Sequence, residues 1–376
     1  MRIVLFCHSL LSDWNHGNAH FLRGLVTELE SRGHLTRVYE PFSAWSVENL
    51  LRDHGPEALN VASSVYPAVV PRRYEPDTLD LDEALDADLV LVHEWTDPGI
   101  VARIGARRKA GAGFRLLFHD THHRAITQPE ALARYDLSGY DGVLAFGAAL
   151  KDVYERRGWG RRVWVWHEAA DIRVFRPIDG IERQGDLVWI GNWGDDERSA
   201  ELREFLLEPS VALGMDTKIY GVRYPDEIRT ELASRGIAYG GWLPNFRVPE
   251  VFAAFAMTVH VPRRPYVEAL PGVPTIRVFE ALACGVPLVS APWRDVERLF
   301  SPGTDYLVAN DGGQMQRHLR MLRADRDARC AFARRGRETI LRRHTCGHRV
   351  DELLAIVRTL GLAHAMAPVD TKEVTP

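Results

Sequence analysis

Residues suited to holding a phosphate group gather in PGVPTIRVFEALACGVPLVSAPW, Pro271 to Trp293. A Gly/Pro-rich loop runs there into a helical pattern, Gly285 closes it, and an apolar run from Val286 to Ser290 follows. A loop that feeds a helix N-terminus offers unpaired N–H groups at the positive end of the helix dipole, so Val273, Thr275 and Ile276 are placed to hold an anion. Glu280 lies further into that helix, where a carboxylate can accept hydrogen bonds from a diol. An ordinary crossover with a surface Glu is the competing reading. WIGNWGDDERS, Trp189 to Ser199, follows the same plan: an apolar strand ends at Gly191, Asn192 and Trp193 begin the turn, and Arg198 enters the next helix. A guanidinium there can neutralise a departing phosphate. It can equally be the counter-ion of Asp195, Asp196 and Glu197. Tyr220 and Arg223 flank the end of another strand, Arg263 and Arg264 follow a third, and GWLPN puts Trp242 and Leu243 in a turn.

The first half of the chain supplies acids and imidazoles instead. FHDTHHRAIT, Phe118 to Thr127, sets His119, Asp120, His122 and His123 in the turn after an apolar strand. Adjacent His side chains point in different directions and no further ligand pair stands at zinc spacing, so no metal is expected. HEWTDP, His93 to Pro98, adds Glu94 to the same rim, and its Asp97 before Pro98 reads as a helix cap. In SLLSDWNHGNAHF, Ser9 to Phe21, the residues Trp14, Asn15, His16 and His20 lie between the first strand and the first helix, open to either ligand contact or loop packing. GxGxxG is absent from that turn, so a dinucleotide cofactor is not expected. Asp80-Leu81-Asp82 and Asp86-Ala87-Asp88 precede a strand and read as a solvated acidic turn.

These segments share one position, just beyond the carboxyl end of an expected strand. Strands are expected at Arg2–Phe6, Leu35–Tyr39, Leu89–His93, Phe114–His119, Gly142–Phe146 and Arg162–Trp166, and again at Leu187–Ile190, Thr217–Tyr220, Met257–Val261, Pro287–Ser290 and Tyr306–Val308, with amphipathic helices between. Alternation of this kind builds α/β domains, each a doubly wound parallel sheet. The two series are separated by the aperiodic stretch His167 to Gly185, a linker. At 376 residues and ~100–200 per domain, two domains are expected. They are read as 1–167, 168–345, and 346–376 for a last helix and a frayed tail.

Composition removes several function classes. The net charge of −4 gives no general attraction to nucleic acid or anionic lipid. Four scattered Cys without a CxxC suit a reducing compartment, and neither a leader nor a spanning run of ~18 apolar residues is visible, so a cytoplasmic protein is expected. Ten Trp are the compositional oddity. Trp14, Trp95, Trp193, Trp242 and Trp293 fall beyond strand ends and are expected at the cleft; Trp45, Trp159, Trp164, Trp166 and Trp189 are expected in the core.

Pro271 to Trp293 resembles the corresponding segment of retaining GT-B glycosyltransferases of the group 1 type, and within them the spore-maturation CgeB-like group. Glu280 matches the second Glu of the family's E-x7-E, while Gly272 stands at the first. HEAADIRVFRP, His167 to Pro177, resembles the family's NGVD…F.P interdomain linker. The resemblance implies two Rossmann-like domains facing a cleft. It implies metal-independent transfer of a sugar, without a cofactor, from a nucleoside-diphosphate sugar to a hydroxyl of an unidentified glycan, lipid, protein or small acceptor. It assigns Gly191, Asn192, Trp193, Arg198, Tyr220, Arg223, Trp242, Leu243, Arg263, Arg264, Val273, Thr275, Ile276 and Glu280 to the donor. Trp14, Asn15, His16, His20, Glu94, His122 and His123 fall to the acceptor side, with Asp120 or His119 handling the acceptor proton. The last helix is expected to cross back onto the first domain. Two other classes fit the same architecture: a nucleotide-sugar epimerase, and a non-catalytic glycan- or nucleotide-binding relative.

Overall fold

A computed structural model describes residues 1–362, and the tail expected around Pro368 to Pro376 lies outside them. The first sheet holds β1 (Arg2–Phe6), β2 (Leu35–Pro41), β3 (Arg72–Tyr74), β4 (Leu89–His93), β5 (Arg115–Asp120), β6 (Gly142–Ala145) and β7 (Val163–Val165), in the order β3-β2-β1-β4-β5-β6-β7. The second holds β8 (Gly185–Ile190), β9 (Thr217–Tyr220), β10 (Ala238–Tyr239), β11 (Phe255–His260), β12 (Leu288–Ser290) and β13 (Leu307–Val308), in the order β10-β9-β8-β11-β12-β13. Every pairing in both is parallel. Helices cover both faces, which is why LVLVH in β4 and FAMTVH in β11 are buried at every position rather than at alternate ones. The expected doubly wound α/β domains are therefore present.

Two edge strands are not expected from sequence. β3 is RRY and β10 is Ala238-Tyr239; neither is long enough to show a period of two, and neither is apolar throughout. Both acidic motifs stand away from the strand ends that matter. Asp80 caps the helix Leu81–Ala84 by accepting from the Asp82 and Glu83 N–H groups, and Asp86 and Asp88 pair with Arg2. Asp97 caps the helix Pro98–Lys109.

In each sheet the winding reverses once, between β1 and β4 and between β8 and β11. Ligands collect in the crevice at such reversals, beyond the strands' carboxyl ends. The domains are joined by more than the linker. A single apolar cluster runs from Ile3 and Leu25 through Trp166 and Phe175 to Phe279 and Val357, so the core is continuous across the boundary. The last helix, Cys346–Thr359, lies on the first domain: Trp166 Nε1 donates to the Arg349 carbonyl at 2.9 Å, and Arg32 pairs with Asp351 at 2.5 Å. In the linker, Ala170 pairs with the backbone beside Thr345, donating to the His344 carbonyl at 3.0 Å and accepting from Cys346 N–H at 3.0 Å.

Gly24, in the helix Ala19–Ser31, sits where that helix meets both the linker and the last helix. A Cβ there would lie 2.6 Å from Asp171 Cβ and 2.6 Å from Cys346 Sγ, well inside contact distance. Gly24→Ala is expected to lower unfolding stability in urea by about 1–3 kcal/mol, the cost of overpacking. Gly113→Ala, where an added Cβ meets nothing within 4 Å, is the control and should stay within about 0.5 kcal/mol of wild type. Equal stabilities for the two variants would contradict this packing.

Candidate active site

The carboxyl ends of the two sheets face each other across a cavity of about 980 Å³. The first domain lines it with the loop Asp13–Asn18, with Trp45 and Trp95, and with Thr121 to Arg124. The second contributes Gly191, Asn192, Arg198, Trp242, Leu243, His260, Arg263 and Thr275 to Arg277, and Glu168 reaches in from the linker.

Cations cluster on the second domain's side. Asn192, in the turn after β8, accepts on its side-chain oxygen from Arg198 Nη2 at 2.5 Å and from Arg263 Nη2 at 3.1 Å. Arg263 also pairs with Glu197. Arg198, only 8% exposed, donates to Asn192 and to the Val261 carbonyl at 3.2 Å, and its Nε has no partner. Among the described residues no carboxylate lies within ion-pair distance of it. Burial first, and then the neighbouring Arg263, push its pKa down to about 9. A buried charge without a counter-ion is costly unless something anionic completes the site.

A second source of positive potential lines the same side. The helix Ile276–Ala283 has Thr275 at its N-cap, yet the Thr275 hydroxyl is engaged with His260 Nε2 at 3.1 Å and makes no capping bond. The first N–H groups of the helix therefore lack a side-chain partner next to the cavity. His260 is fixed from behind by Ser290 Oγ at 2.9 Å, and burial pushes its pKa down to about 3, so the ring is neutral. Gly272, just before this helix, has φ of +89°, and a Cβ there would come within 2.8 Å of Val296 and 3.0 Å of Glu297. Position 272 thus has neither the backbone nor the space for a glutamate side chain.

Glu280 does not reach the cavity. Its carboxylate is fully buried, pairing with His20 Nδ1 at 2.9 Å and with Arg277. The Asp171 N–H donates to His20 Nε2 at 3.0 Å, so that nitrogen is the acceptor and the ring proton must sit on Nδ1, aimed at Glu280. Phe175 stacks on the same ring at 3.6 Å. His20, expected beside the acceptor, is instead a contact between the two domains and the linker.

Asp120, His119 and Glu94 also lie behind the cavity lining. Asp120 accepts from Tyr154 OH at 2.6 Å and from His122 N–H at 2.9 Å. Burial raises its pKa to about 6. Glu94 is buried against Arg124, with contacts of 3.0 and 2.6 Å, and Arg124 in turn covers one face of Trp95 at 3.8 Å. The motif nonetheless reaches the cavity through Thr121, His122, His123 and Arg124. His123 stands 3.6 Å from Glu197, a contact across the cleft.

Of the remaining expected donor residues, Arg223 lines the cavity and pairs with Asp195 at 2.8 Å. Arg264 turns away to Glu201 at 2.7 Å, Val273 is buried, and Tyr220 and Trp193 lie outside the lining, the latter packed near Tyr224. Trp14, Trp95 and Trp242 line the cavity as expected, but Trp293 is buried beside Tyr306, while Trp45, expected in the core, takes a cavity position; Trp189 is buried in the second domain's core as expected and touches the lining from there. Several polar lining residues do not stand out in the sequence, among them Asp13, His260 and Glu168. Asp13 binds Arg23 at 2.8 Å within its domain and accepts from Trp242 Nε1 and Asn245 N–H, both at 3.1 Å, across the cleft. Its place in a strand-end loop is the only local signal for it.

The fold has counterparts among known proteins. Residues 198–355 match the profile of a family described as glycosyl transferase-like. No curated protein matches the sequence. Sucrose-phosphate synthase from Thermosynechococcus elongatus superposes with a TM-score of 0.69 at 14% identity, over 96% of this chain and 100% of that one. Anabaena HepE in complex with UDP gives 0.65 at 13%, over 96% and 100%. T4 phage BGT in complex with its UDP-glucose substrate gives 0.61 at 12%, over 96% and 100%. The fold is that of the GT-B glycosyltransferases. Among the described residues no group of three His, Cys, Asp or Glu is arranged to hold a metal ion, and no helix is long and apolar enough to cross a membrane.

Glu168 gives the site a pH signature. It is 5% exposed, its Oε1 accepts from Asn18 Nδ2 at 2.6 Å, and burial outweighs that bond and holds its pKa up at about 8. A carboxyl raised in the fold stabilises fully below its unfolded pKa of about 4.3, and the contribution is lost as pH rises through the folded value. The part of the stability that Glu168 contributes is therefore expected to fall between pH 5 and 8, against the opposite trend of the buried histidines, whose pKa values burial lowers. Glu168→Gln should make that fall smaller by about 2–4 kcal/mol, since each tenfold difference in proton affinity between the folded and unfolded chain is worth roughly 1.4 kcal/mol. Identical slopes in paired denaturation curves would mean that Glu168 is ionised in the fold.

Proposed function

We propose that this GT-B chain is a glycosyltransferase that moves a sugar from a uridine-diphosphate sugar to an acceptor hydroxyl. The observation that carries the reading is Arg198, a buried guanidinium without a counter-ion, beside the uncapped helix N-terminus at Thr275. Together they form a fixed positive site of the kind a leaving diphosphate needs, built before charge develops. The glycosyl transferase-like match over 198–355 covers both features. The uridine nucleotides carried by BGT and HepE, two chains of the same fold, support the choice of base.

In this mechanism the second domain holds the donor and Arg198 takes the β-phosphate. Arg263 and Arg277 stand on the same wall, held by Glu197 and Glu280. The bond between the anomeric carbon and the phosphate oxygen breaks, its electron pair goes to the phosphate, and the acceptor oxygen bonds to the anomeric carbon. The motif resemblance favours a retaining reaction of the CgeB-like group. Attack would then come from the side of departure, with the acceptor proton passing to the released phosphate oxygen rather than to Asp120 or His119. Closure of the cleft around the donor would keep water from it. A nucleotide-sugar substrate also suits a cytoplasmic protein.

Arg198→Ala is expected to weaken UDP binding by about 10- to 100-fold in calorimetry, or 1.4–2.8 kcal/mol, as befits a lost charge-assisted contact. Stability without ligand should be unchanged or higher, because the variant no longer buries an unpaired charge. Unchanged UDP affinity would remove the basis of the assignment.

A further inference from the structure

The first-domain wall of the cavity differs chemically from the wall opposite. Trp14, Trp45 and Trp95 meet there edge to face, with ring centres 6.3 Å apart for Trp14 and Trp45 and 6.2 Å for Trp45 and Trp95. His8 stacks on one face of Trp45 at 4.5 Å, and Arg124 covers one face of Trp95. Both indoles are thus braced from one side, and both are half-buried cavity-lining residues. The two arginines on this side, Arg124 and Arg52, are each paired with an acid, Glu94 and Asp53. Burial keeps His16 and His122 neutral, pushing both well below the ordinary histidine range. The uncompensated positive charge lies on the second domain, at Arg198.

We propose that the acceptor is a neutral saccharide whose ring stacks on the Trp45–Trp95 wall; this rests on the reading of the cavity as a glycosyltransferase site. A pyranose presents a flat face of C–H bonds, which suits a braced indole, and a rim of hydroxyls. Hydroxyls pointing in several directions match the polar groups around the indoles: Asn49, Asp53 and Arg52 at the lining, and Trp14 Nε1, His16 Nε2 and His122 Nδ1 just beneath it, which have no protein partner. A phenol carries one hydroxyl and would leave most of these unmet. A nucleic acid or a phospholipid headgroup would bring phosphates to a wall whose cations are already paired and which carries Asp13 and Asp53.

The test uses the full chain with UDP-glucose as donor probe and UDP release as readout. Four acceptor sets are compared: methyl pyranosides with short neutral oligosaccharides, simple phenols, duplex DNA, and vesicles of phosphatidylglycerol. Saturation-transfer NMR of the saccharides in the presence of UDP reports binding without turnover. The saccharides are expected to bind and to accelerate UDP release. Trp45→Ala should raise the acceptor KM at least tenfold while UDP affinity stays within about twofold, and Trp45→Phe, which keeps a flat ring, should restore most of the loss. Saccharides that neither bind nor accelerate release while UDP still binds would overturn the proposal and leave the glycosyltransferase reading standing, as would acceleration by one of the other three sets alone. Failure of both UDP and UDP-glucose to bind would overturn both.

Discussion

The carboxylate of Glu280 sets the relation between the two domains. It is buried, it belongs to the second domain, and it is held from both sides: it is paired with Arg277 one turn away on its own helix, and it accepts the Nδ1–H of His20 on the first helix of the other domain. His20 is oriented in turn by the Asp171 N–H in the linker and by Phe175 stacked on its ring. Removing a buried charge from water is repaid only when its hydrogen bonds are well made, so this network has little tolerance for another domain spacing. It brings the starts of helices Ala19–Ser31 and Ile276–Ala283 close together. A Cβ on Gly17 would lie 3.1 Å from Ile276. The cavity and the uncapped end of the second helix both follow from that approach.

With the domains so held, the cavity sorts ligand chemistry by wall. Asn192 gathers two guanidiniums on one amide oxygen, an arrangement whose mutual repulsion an anion would relieve. Opposite, the loops after β1, β4 and β5 carry indoles, neutral imidazoles and paired charges. Contacts across the cleft are short and polar: Asn192 Nδ2 donates to Asn15 Oδ1 at 2.6 Å, and Asp13 binds Trp242 and Asn245. Such contacts can be exchanged for ligand or water at small cost. The His20–Glu280 pair, fully buried, cannot.

The architecture is largely legible in the sequence, because period and strand length report burial on both sheet faces, and parallel strands leave their ends as the ligand sites. β3 and β10 escape because a two- or three-residue edge strand carries no period. The site is legible by segment more than by side chain. Arg198 and Thr275 are expected at the cavity and are there, whereas Glu280, His20, Asp120 and Val273 belong to the same segments but point away from it. A strand-end loop tells which backbone approaches the crevice, yet adjacent residues in a loop face opposite ways, and their partners come from distant parts of the chain. The pairing of His20 with Glu280 spans 260 residues and leaves no mark in local spacing. Glu168 is hidden for the related reason that the linker reads as a boundary, whereas its side chain enters the cavity. The tryptophans divide similarly: the helical neighbourhood of Trp45 points to the core, but it sits at the first residue of its helix and faces the cleft.

The central claim is that the buried, unpaired Arg198 and the start of helix Ile276–Ala283 form the diphosphate site. A crystal structure of the chain soaked with UDP tests it most directly. The account predicts both phosphates on the second domain's wall, one of them within ~3 Å of the Arg198 guanidinium and of an N–H at the start of that helix, with the first-domain tryptophans left uncovered. A diphosphate bound elsewhere in the cavity, with Arg198 still held only by Asn192 and Val261, would contradict it.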